Sequence, residues 1–421
     1  MRRRAKRKNH GDSVSDELRA QYEAFPYPAR DPADEKKRLV TGSPSHIIEI
    51  DHYVFGGRRD WSRPFRALIA GGGTGDGAIM LAQQLADAKC PAEVLHLDMS
   101  ESSQAIARAR AEVRGLSNIR FEHGSLLEAK GPYDYIDCCG VLHHLEDPAA
   151  GARSLVRALA PDGGLGAMVY APYGRTGVYP VQEALRALTG DAPPAERLRI
   201  ARAAFAKLPP TNFLARNPFV SDHKSGDAGF YDLLLNPIDR PFTVRDVAAL
   251  VDGAGLRLTG LIEPLRYRPE AFFADPAIVA RLPKDTIARA AFAEQWAGNM
   301  RRHVFYAVRA DNPLPLPAAL DGPAAIPVTL DLDPAKIAPG LAQGQAIKPN
   351  FDGLELRLTV PPLAGEIMRL VDGRRSLGEI HDALSPRCSW ETFKTAFDAL
   401  YAAFNGINRM FIRYAPDSPR R

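Results

Sequence analysis

Ala67-Leu-Ile-Ala-Gly71-Gly72-Gly73-Thr74-Gly75-Asp76-Gly77 is an apolar run that passes straight into glycines at alternate positions. A buried strand followed by a tight, side-chain-free turn reads this way, because glycine lets the backbone bend sharply and lets a ligand approach it. Downstream, Ala78, Leu81 and Leu85 fall on one helical face. The opening turn of such a helix offers unpaired amide hydrogens and the positive end of its dipole.

The spacing narrows the ligand. A dinucleotide fingerprint needs G-x-G-x-x-G, but three residues beyond Gly73 stands Asp76, and the register present is G-x-G-x-G at Gly71, Gly73 and Gly75. A carboxylate at the helix start repels a pyrophosphate and attracts an ammonium group. S-adenosylmethionine has an amino-acid end and no phosphate, so it suits the local charge, and an oxidoreductase using a nicotinamide cofactor is disfavoured. A second apolar run ends in Leu97-Asp98-Met99-Ser100. It places a carboxylate where open α/β sheets bind ligands, with Asp98 able to accept from both ribose hydroxyls and Met99 able to lie against adenine. The competing expectation for Asp98 is the N-cap of the following helix.

Further runs extend the pattern: Ile119–Phe121, Tyr133–Ile136, Leu165–Tyr170, Leu258–Ile262 and His303–Val308, with helical intervals between them. Strand and helix alternating predict an α/β fold, a Rossmann-like, seven-stranded, mostly parallel sheet. A helical insertion at about 172–240 interrupts it, with helices expected around Val181–Leu188 and Ala195–Lys207. The expected division is a basic tail and lid segment over 1–60, the sheet domain over 61–310, a proline-rich linker over 311–350 and a small, mostly helical unit over 351–421.

From about Phe65 to Tyr170 the chain resembles the class I S-adenosylmethionine-dependent methyltransferases, and more loosely an uncharacterised bacterial branch of them. Gly71–Gly75 match the family's first motif and Asp98 its ribose-binding acid. Gly124-Ser125-Leu126 fall at the adenine loop, Cys139-Gly-Val-Leu-His-His-Leu145 after the fourth strand and Leu159-Ala-Pro-Asp-Gly-Gly164 before the fifth. The resemblance implies the cofactor S-adenosyl-L-methionine, held by Gly71, Gly73, Thr74, Gly75, Asp76, Asp98, Met99, Ser125, Leu126 and Cys139. Where the family usually has an Asp for the adenine amino group, Ser125 stands. Methylases of base amines and glutamine amides carry Asn/Asp-Pro-Pro-aromatic after the fourth strand. Here Cys139-Gly-Val-Leu142 replaces it, against such acceptors. The branch resemblance rests on Tyr22–Pro28, Tyr173–Tyr179 and Tyr231–Leu235.

Methyl transfer is an in-line displacement that needs proximity, and a base only where the acceptor must lose a proton. Candidate residues for the chemistry are His143 and His144, with packing or cofactor contact as the plainer expectation, and Tyr173 and Arg175 after the fifth strand. Arg175 could fork onto an anionic acceptor or form a surface salt bridge. A small organic molecule is the expected acceptor, a peptide or protein side chain the next. No metal-ligand spacing is evident.

The 421 residues carry 45% hydrophobic and 25% charged side chains, an ordinary globular composition. The net charge of +4 becomes −2 without Arg2, Arg3, Arg4, Lys6, Arg7 and Lys8, so the body is close to neutral. No apolar run reaches the ~20 residues of a spanning helix, so no membrane partner and a cytoplasmic location are expected. Four cysteines form no disulfide framework, and adjacent Cys138 and Cys139 read as small core residues. The stretch beyond Leu354 looks like a winged-helix or PqqD-like unit, with Trp390, Phe393, Phe397, Leu400, Tyr401 and Phe404 as an apolar stripe and Met410–Tyr414 as a hairpin-like end. It raises the rival reading of a nucleic-acid- or peptide-binding protein on a methyltransferase fold. The helix from Trp390 carries little basic charge beyond Lys394, so nucleic acid is an improbable partner.

Overall fold

A computed structural model describes residues 10–415; the basic residues of the N-terminal tail named above lie outside the described residues. Its centre is a seven-stranded sheet of β1 (Phe65–Ala70), β2 (Ala92–Asp98), β3 (Ile119–His123), β4 (Tyr133–Cys139), β5 (Leu159–Tyr170), β6 (Leu256–Leu261) and β7 (Arg302–Arg309), in the order 3-2-1-4-5-7-6. The first five strands run parallel, while β7 lies antiparallel between β5 and β6. The Rossmann-like sheet expected from the alternating pattern is therefore present.

The strands are apolar on both faces because both faces are covered. Helices α1 (His10–Ala24) and α2 (Ile47–Val54) precede the sheet, and α3 (Asp76–Asp87), α4 (Glu101–Arg114) and α5 (Pro148–Ala158) connect its first strands. Successive residues of β1 then split between two cores. Leu68 and Ala70 join Leu155 of α5, and Ala67 and Ile69 join Val54 of α2 and Leu81 of α3. The starts of these helices are fixed locally. Asp147 accepts from the Ala150 amide at 3.0 Å ahead of Pro148, and Ser100 accepts from the Ser103 amide at 3.1 Å.

Between β5 and β6 the chain leaves the sheet for α6 (Val178–Thr189), α7 (Pro194–Phe205), α8 (Phe213–Arg216) and α9 (Gly226–Leu235), which share a separate core around Phe230, Leu234 and Leu185. It returns through α10 (Val244–Gly253), whose Thr243–Asp246 capping box sets its start, and passes from β6 to β7 by α11 (Pro276–Val279) and α12 (Thr286–Ala297).

The stretch expected to be an extended linker is folded. It contains β8 (Ile326–Thr329) and α13 (Pro334–Ala342), and Ala325, Ala338 and Leu341 are buried with Ile367, Phe393 and Phe397. Two of its prolines sit where a missing amide costs little, while Pro339 lies inside α13. Pro334 opens α13, and Pro327 lies in a strand with a single neighbour. A short hairpin, β9 (Asn350–Phe351) with β10 (Leu354–Glu355), leads to α14 (Ala364–Leu370), α15 (Leu377–Leu384) and α16 (Trp390–Gly406). The last strand, β11 (Met410–Arg413), forms no hairpin of its own but pairs antiparallel with β8.

Although the first 60 residues lack regular periodicity, α2 is a core element. Ile50 and Val54 are 0% exposed, and Phe411 of β11 packs on it with ring centroids 5.3 Å from His52 and 6.1 Å from Tyr53. Among the described residues no helix is long and apolar enough to cross a membrane. Because Phe411 ties the terminal unit to the helix that underlies the sheet, Phe411→Ala should cost about 3–5 kcal/mol in guanidinium unfolding within one transition. Two separated transitions, with only one of them shifted, would show the terminal unit folding on its own.

Candidate active site

The loop between β1 and α3 owes its path to its glycines. Gly71, Gly73 and Gly75 have φ of +74°, +52° and +100°, a left-handed geometry that side chains resist. Space is equally restrictive: a Cβ at Gly71 would lie 2.5 Å from Val141 Cγ2, and one at Gly73 2.9 Å from the Tyr27 carbonyl oxygen. The amides of Gly71 and Gly72 donate to the Leu97 carbonyl at 2.8 and 3.2 Å, and the Gly73 amide donates to Asp98 Oδ2 at 2.7 Å. The other oxygen of Asp98 accepts from the Ser100 amide at 2.8 Å, and the cap of α4 is Ser100 rather than Asp98.

Loop and strand edge open into a cavity of about 810 Å³, within the ~300–1,000 Å³ range of small-ligand sites. Gly71, Gly73, Asp76, Asp98 and Met99 line one side of it, and Ser125, Leu126 and Cys139 the wall beside them. Thr74 and Gly75 do not reach it. Thr74 is buried and its hydroxyl donates to the Pro28 carbonyl at 2.7 Å, holding the N-terminal segment across the loop, while Gly75 is the N-cap of α3. Cys139, expected in the core with Cys138, is exposed on the cavity wall, because β4 ends there.

Asp76 is engaged differently from the sequence expectation. Arg30 reaches it at 2.5 Å and Arg110 at 2.7 Å, so two guanidiniums already neutralise the carboxylate meant for an ammonium group. Despite its burial they hold its acid below the usual range. Arg110 and Arg114 also clasp buried Glu35, joining the segment after Arg30 to α4.

The far end of the cavity is built by the insertion and the N-terminal segment. Asp232 of α9 is 3% exposed. It accepts from the Tyr22 hydroxyl at 3.1 Å and, at a long 3.5 Å, from that of Tyr170. Burial raises its acid, with His144 opposing. Tyr22, Tyr170, Asp232 and His144 all face the cavity. His144 Nδ1 donates to the Ile238 carbonyl at 2.5 Å, which leaves Nε2 as the acceptor nitrogen.

His143 stands behind this wall, 0% exposed, with neither ring nitrogen partnered and its ring 4.3 Å from that of Tyr170. Burial, with the nearby His144 and Arg175, pushes its pKa down. It is neutral packing rather than a base in the cavity. Tyr173 does not reach the cavity either; its carbonyl accepts from Thr176 and Val178 is already helical. Arg175 does line it, but its salt bridge is a buried one. It binds Asp239 at 2.5 Å and Tyr179 Oη at 3.0 Å and lies 3.8 Å above the Tyr170 ring, so much of its fork is occupied.

Tyr22, Arg30, Ser45, Asp137 and Asp232 were not singled out as site residues in the sequence, yet all line the cavity. Two left a trace: Asp137 and Asp232 are charges inside apolar runs, Tyr133–Cys139 and Phe230–Leu235, where burial without purpose is costly.

Residues 68–165 match the family model of a methyltransferase domain, and the glycine loop, Asp98 and the turn after β4 lie inside the matched stretch. An uncharacterized protein of Synechococcus sp., syc1184_c, is 31% identical over 270 residues, 62% of this chain and 63% of that protein, so the match spans less than two thirds of its length. Among solved structures, PKMT2 from Rickettsia typhi is similar in fold at 13% identity, with a TM-score of 0.55 over 92% of this chain and 76% of that one. Its complex with AdoHcy gives 0.54 over 83% and 71%, also at 13% identity.

The buried acid on β4 makes a stability prediction. Burial pushes Asp137 up to about 6 against the pull of the Ser45 hydroxyl and the Cys139 amide. The unfolded chain ionises this group near 3.8. Between those values the native state therefore holds the extra proton, and its stability falls as pH rises through the window. Relative to wild type, Asp137→Asn should gain stability from pH 4 to 7, by up to roughly 3 kcal/mol, and change little above that. A pH-independent difference in urea melts would contradict the assignment.

Proposed function

We propose that this chain is an S-adenosylmethionine-dependent methyltransferase whose acceptor, a small organic molecule, sits in the chamber formed by Tyr22, Tyr170, Asp232 and His144. One observation carries the reading: the bare backbone at Gly71–Gly73 and the carboxylate of Asp98 share a single cavity with that chamber. Bound there, the donor supplies an electrophilic methyl group on a sulfonium. The residues present fit it. Gly71 and Gly73 admit its nucleoside to backbone distance, Asp98 keeps lone pairs for the ribose hydroxyls, and Met99, Ser125 and Leu126 flank the place for adenine.

The chain's own part in the reaction is positional. The N-terminal segment, fixed by Thr74 to Pro28 and by Arg30 to Asp76, roofs the donor side and keeps water out. The hydroxyls of Tyr22 and Tyr170 hold Asp232 in place at the acceptor end. For an acceptor that must lose a proton, Nε2 of His144 and the carboxylate of Asp232 are the groups able to take it. The G-x-G-x-G register of Gly71, Gly73 and Gly75, with Asp76 where a dinucleotide fingerprint has its last glycine, separates this reading from a nicotinamide enzyme, which also carries an acid at the end of its second strand. The free cysteines, Cys139 on the cavity wall included, are in keeping with work in the reducing cytoplasm.

S-adenosylhomocysteine should bind at one site per chain in titration calorimetry. Gly73→Asp, whose side chain enters the loop, and Asp98→Ala should each weaken it at least ~10-fold while thermal melts show a folded protein. Unchanged affinity in both variants, or no binding to wild type, would remove the proposal.

A further inference from the structure

Since Asp76 is already paired, the donor's ammonium group lacks its expected anion, and the cavity offers another. Asp137 stands on β4 directly across from Ile69 of β1, in parallel register two residues before the glycine loop begins. It is 1% exposed and its carboxylate lines the cavity. Oδ2 accepts from the hydroxyl of Ser45, itself 1% exposed. Oδ1 has no hydrogen-bond partner of normal geometry. Beside Ser45 is the first turn of α3, where a Cβ at Gly77 would lie 3.0 Å from Oδ2 and 3.3 Å from the Ser45 Oγ.

A carboxylate this deep, with one oxygen unsatisfied and no ion pair among the described residues, is costly unless something cationic meets it. The other donor-side carboxylates are committed. Asp76 is held by Arg30 and Arg110, and Asp98 accepts two backbone amides at the ribose edge. An ammonium is the chemistry that fits Asp137: it donates to Oδ1, balances the charge and needs no metal-like shell of ligands.

We infer that Asp137, oriented by Ser45, is the seat of the donor's ammonium group, so that β4 rather than the start of α3 recognises its amino-acid end. This rests on the proposed donor site and adds to it a residue that discriminates ligands with an amino group from those without one. Gly77 is part of the same device, because any side chain there would fill the gap over the carboxylate.

Three ligands separate recognition from mere packing: S-adenosylhomocysteine, its analogue with hydrogen in place of the amino group, and 5′-methylthioadenosine. In calorimetry Asp137→Asn should weaken S-adenosylhomocysteine by ~10–100-fold. Its affinities for the other two ligands should stay within ~3-fold of wild type, which also shows that the variant is folded. Ser45→Ala should give a smaller loss with the same ligand dependence. Equal losses for all three ligands, or unchanged binding of S-adenosylhomocysteine by Asp137→Asn, would overturn the inference while leaving the donor site standing. A loss in Asp76→Asn that appears only with the amino-bearing ligand would return the role to Asp76 and also overturn it. Wild-type protein that binds none of the three would bring down the donor site and this inference together.

Discussion

The amide of Gly73 donating to Asp98 is the contact on which the rest of the site turns. It runs from the loop after one strand to the end of its neighbour, and it exists only because β1 and β2 are parallel and in register from Phe65↔Ala92 to Ala70↔Leu97. Parallel register brings both strand ends to the same edge. Positive φ at three alternate glycines then turns the chain back toward β2 instead of letting it run on. A side chain at Gly71 or Gly73 would meet both obstacles at once, a strained backbone and an occupied neighbour. The bare loop is therefore a consequence of strand order as much as of composition.

Burying charge on this scale needs compensation. Glu35, Arg110 and Asp137 are each nearly or fully enclosed, as are Asp232 and Arg175. The Glu35–Arg110–Asp76–Arg30 chain solves the problem internally, each charge meeting an opposite one, and in doing so it fixes the N-terminal segment over the loop. A truncated pair in such a network leaves a bare charge, so its value lies in holding one arrangement more than in net stability. Arg175 with Asp239 is closed in the same way. Asp137 and Asp232 are the exceptions, hydrogen-bonded by hydroxyls with no ion pair among the described residues, and both face the cavity.

What was legible in the sequence was what depends on near neighbours along the chain. Short continuous apolar runs, alternating glycines and the acid ending β2 all announce themselves within a few residues, and the sheet and the proposed donor edge followed from them. What stayed hidden depends on contacts between distant segments. Tyr22 meets Asp232 across 210 positions, and β8 meets β11 across about 80, which is why a proline-rich stretch with a short strand looked like a linker. α2 escaped notice because it is only eight residues long and Glu49, Asp51 and His52 interrupt its apolar residues, though all three are buried. His143 and His144 show the limit most sharply. Adjacent residues of one type differ completely in role, one packed behind Tyr170 and one facing the cavity, and only the short turn after β4 decides which.

The proposed donor and acceptor ends come from different kinds of structure. The donor end is made by strand termini and the turns that leave them, so its geometry is tied to a sheet whose central strand is buried on both faces. Most of the acceptor end comes from α1 and from the insertion between β5 and β6, with its own core around Phe230 and Leu234. Substitutions in that second core can reshape the chamber around Asp232 without disturbing Gly73 or Asp98, because the two groups share few partners. Tyr170 is the point of contact between the halves. It ends β5, lies under Arg175, packs on His143 and reaches toward Asp232. A change at that one ring would be felt at both ends, since it belongs to the sheet, touches the insertion through a cation and a carboxylate, and packs on an imidazole of the turn after β4.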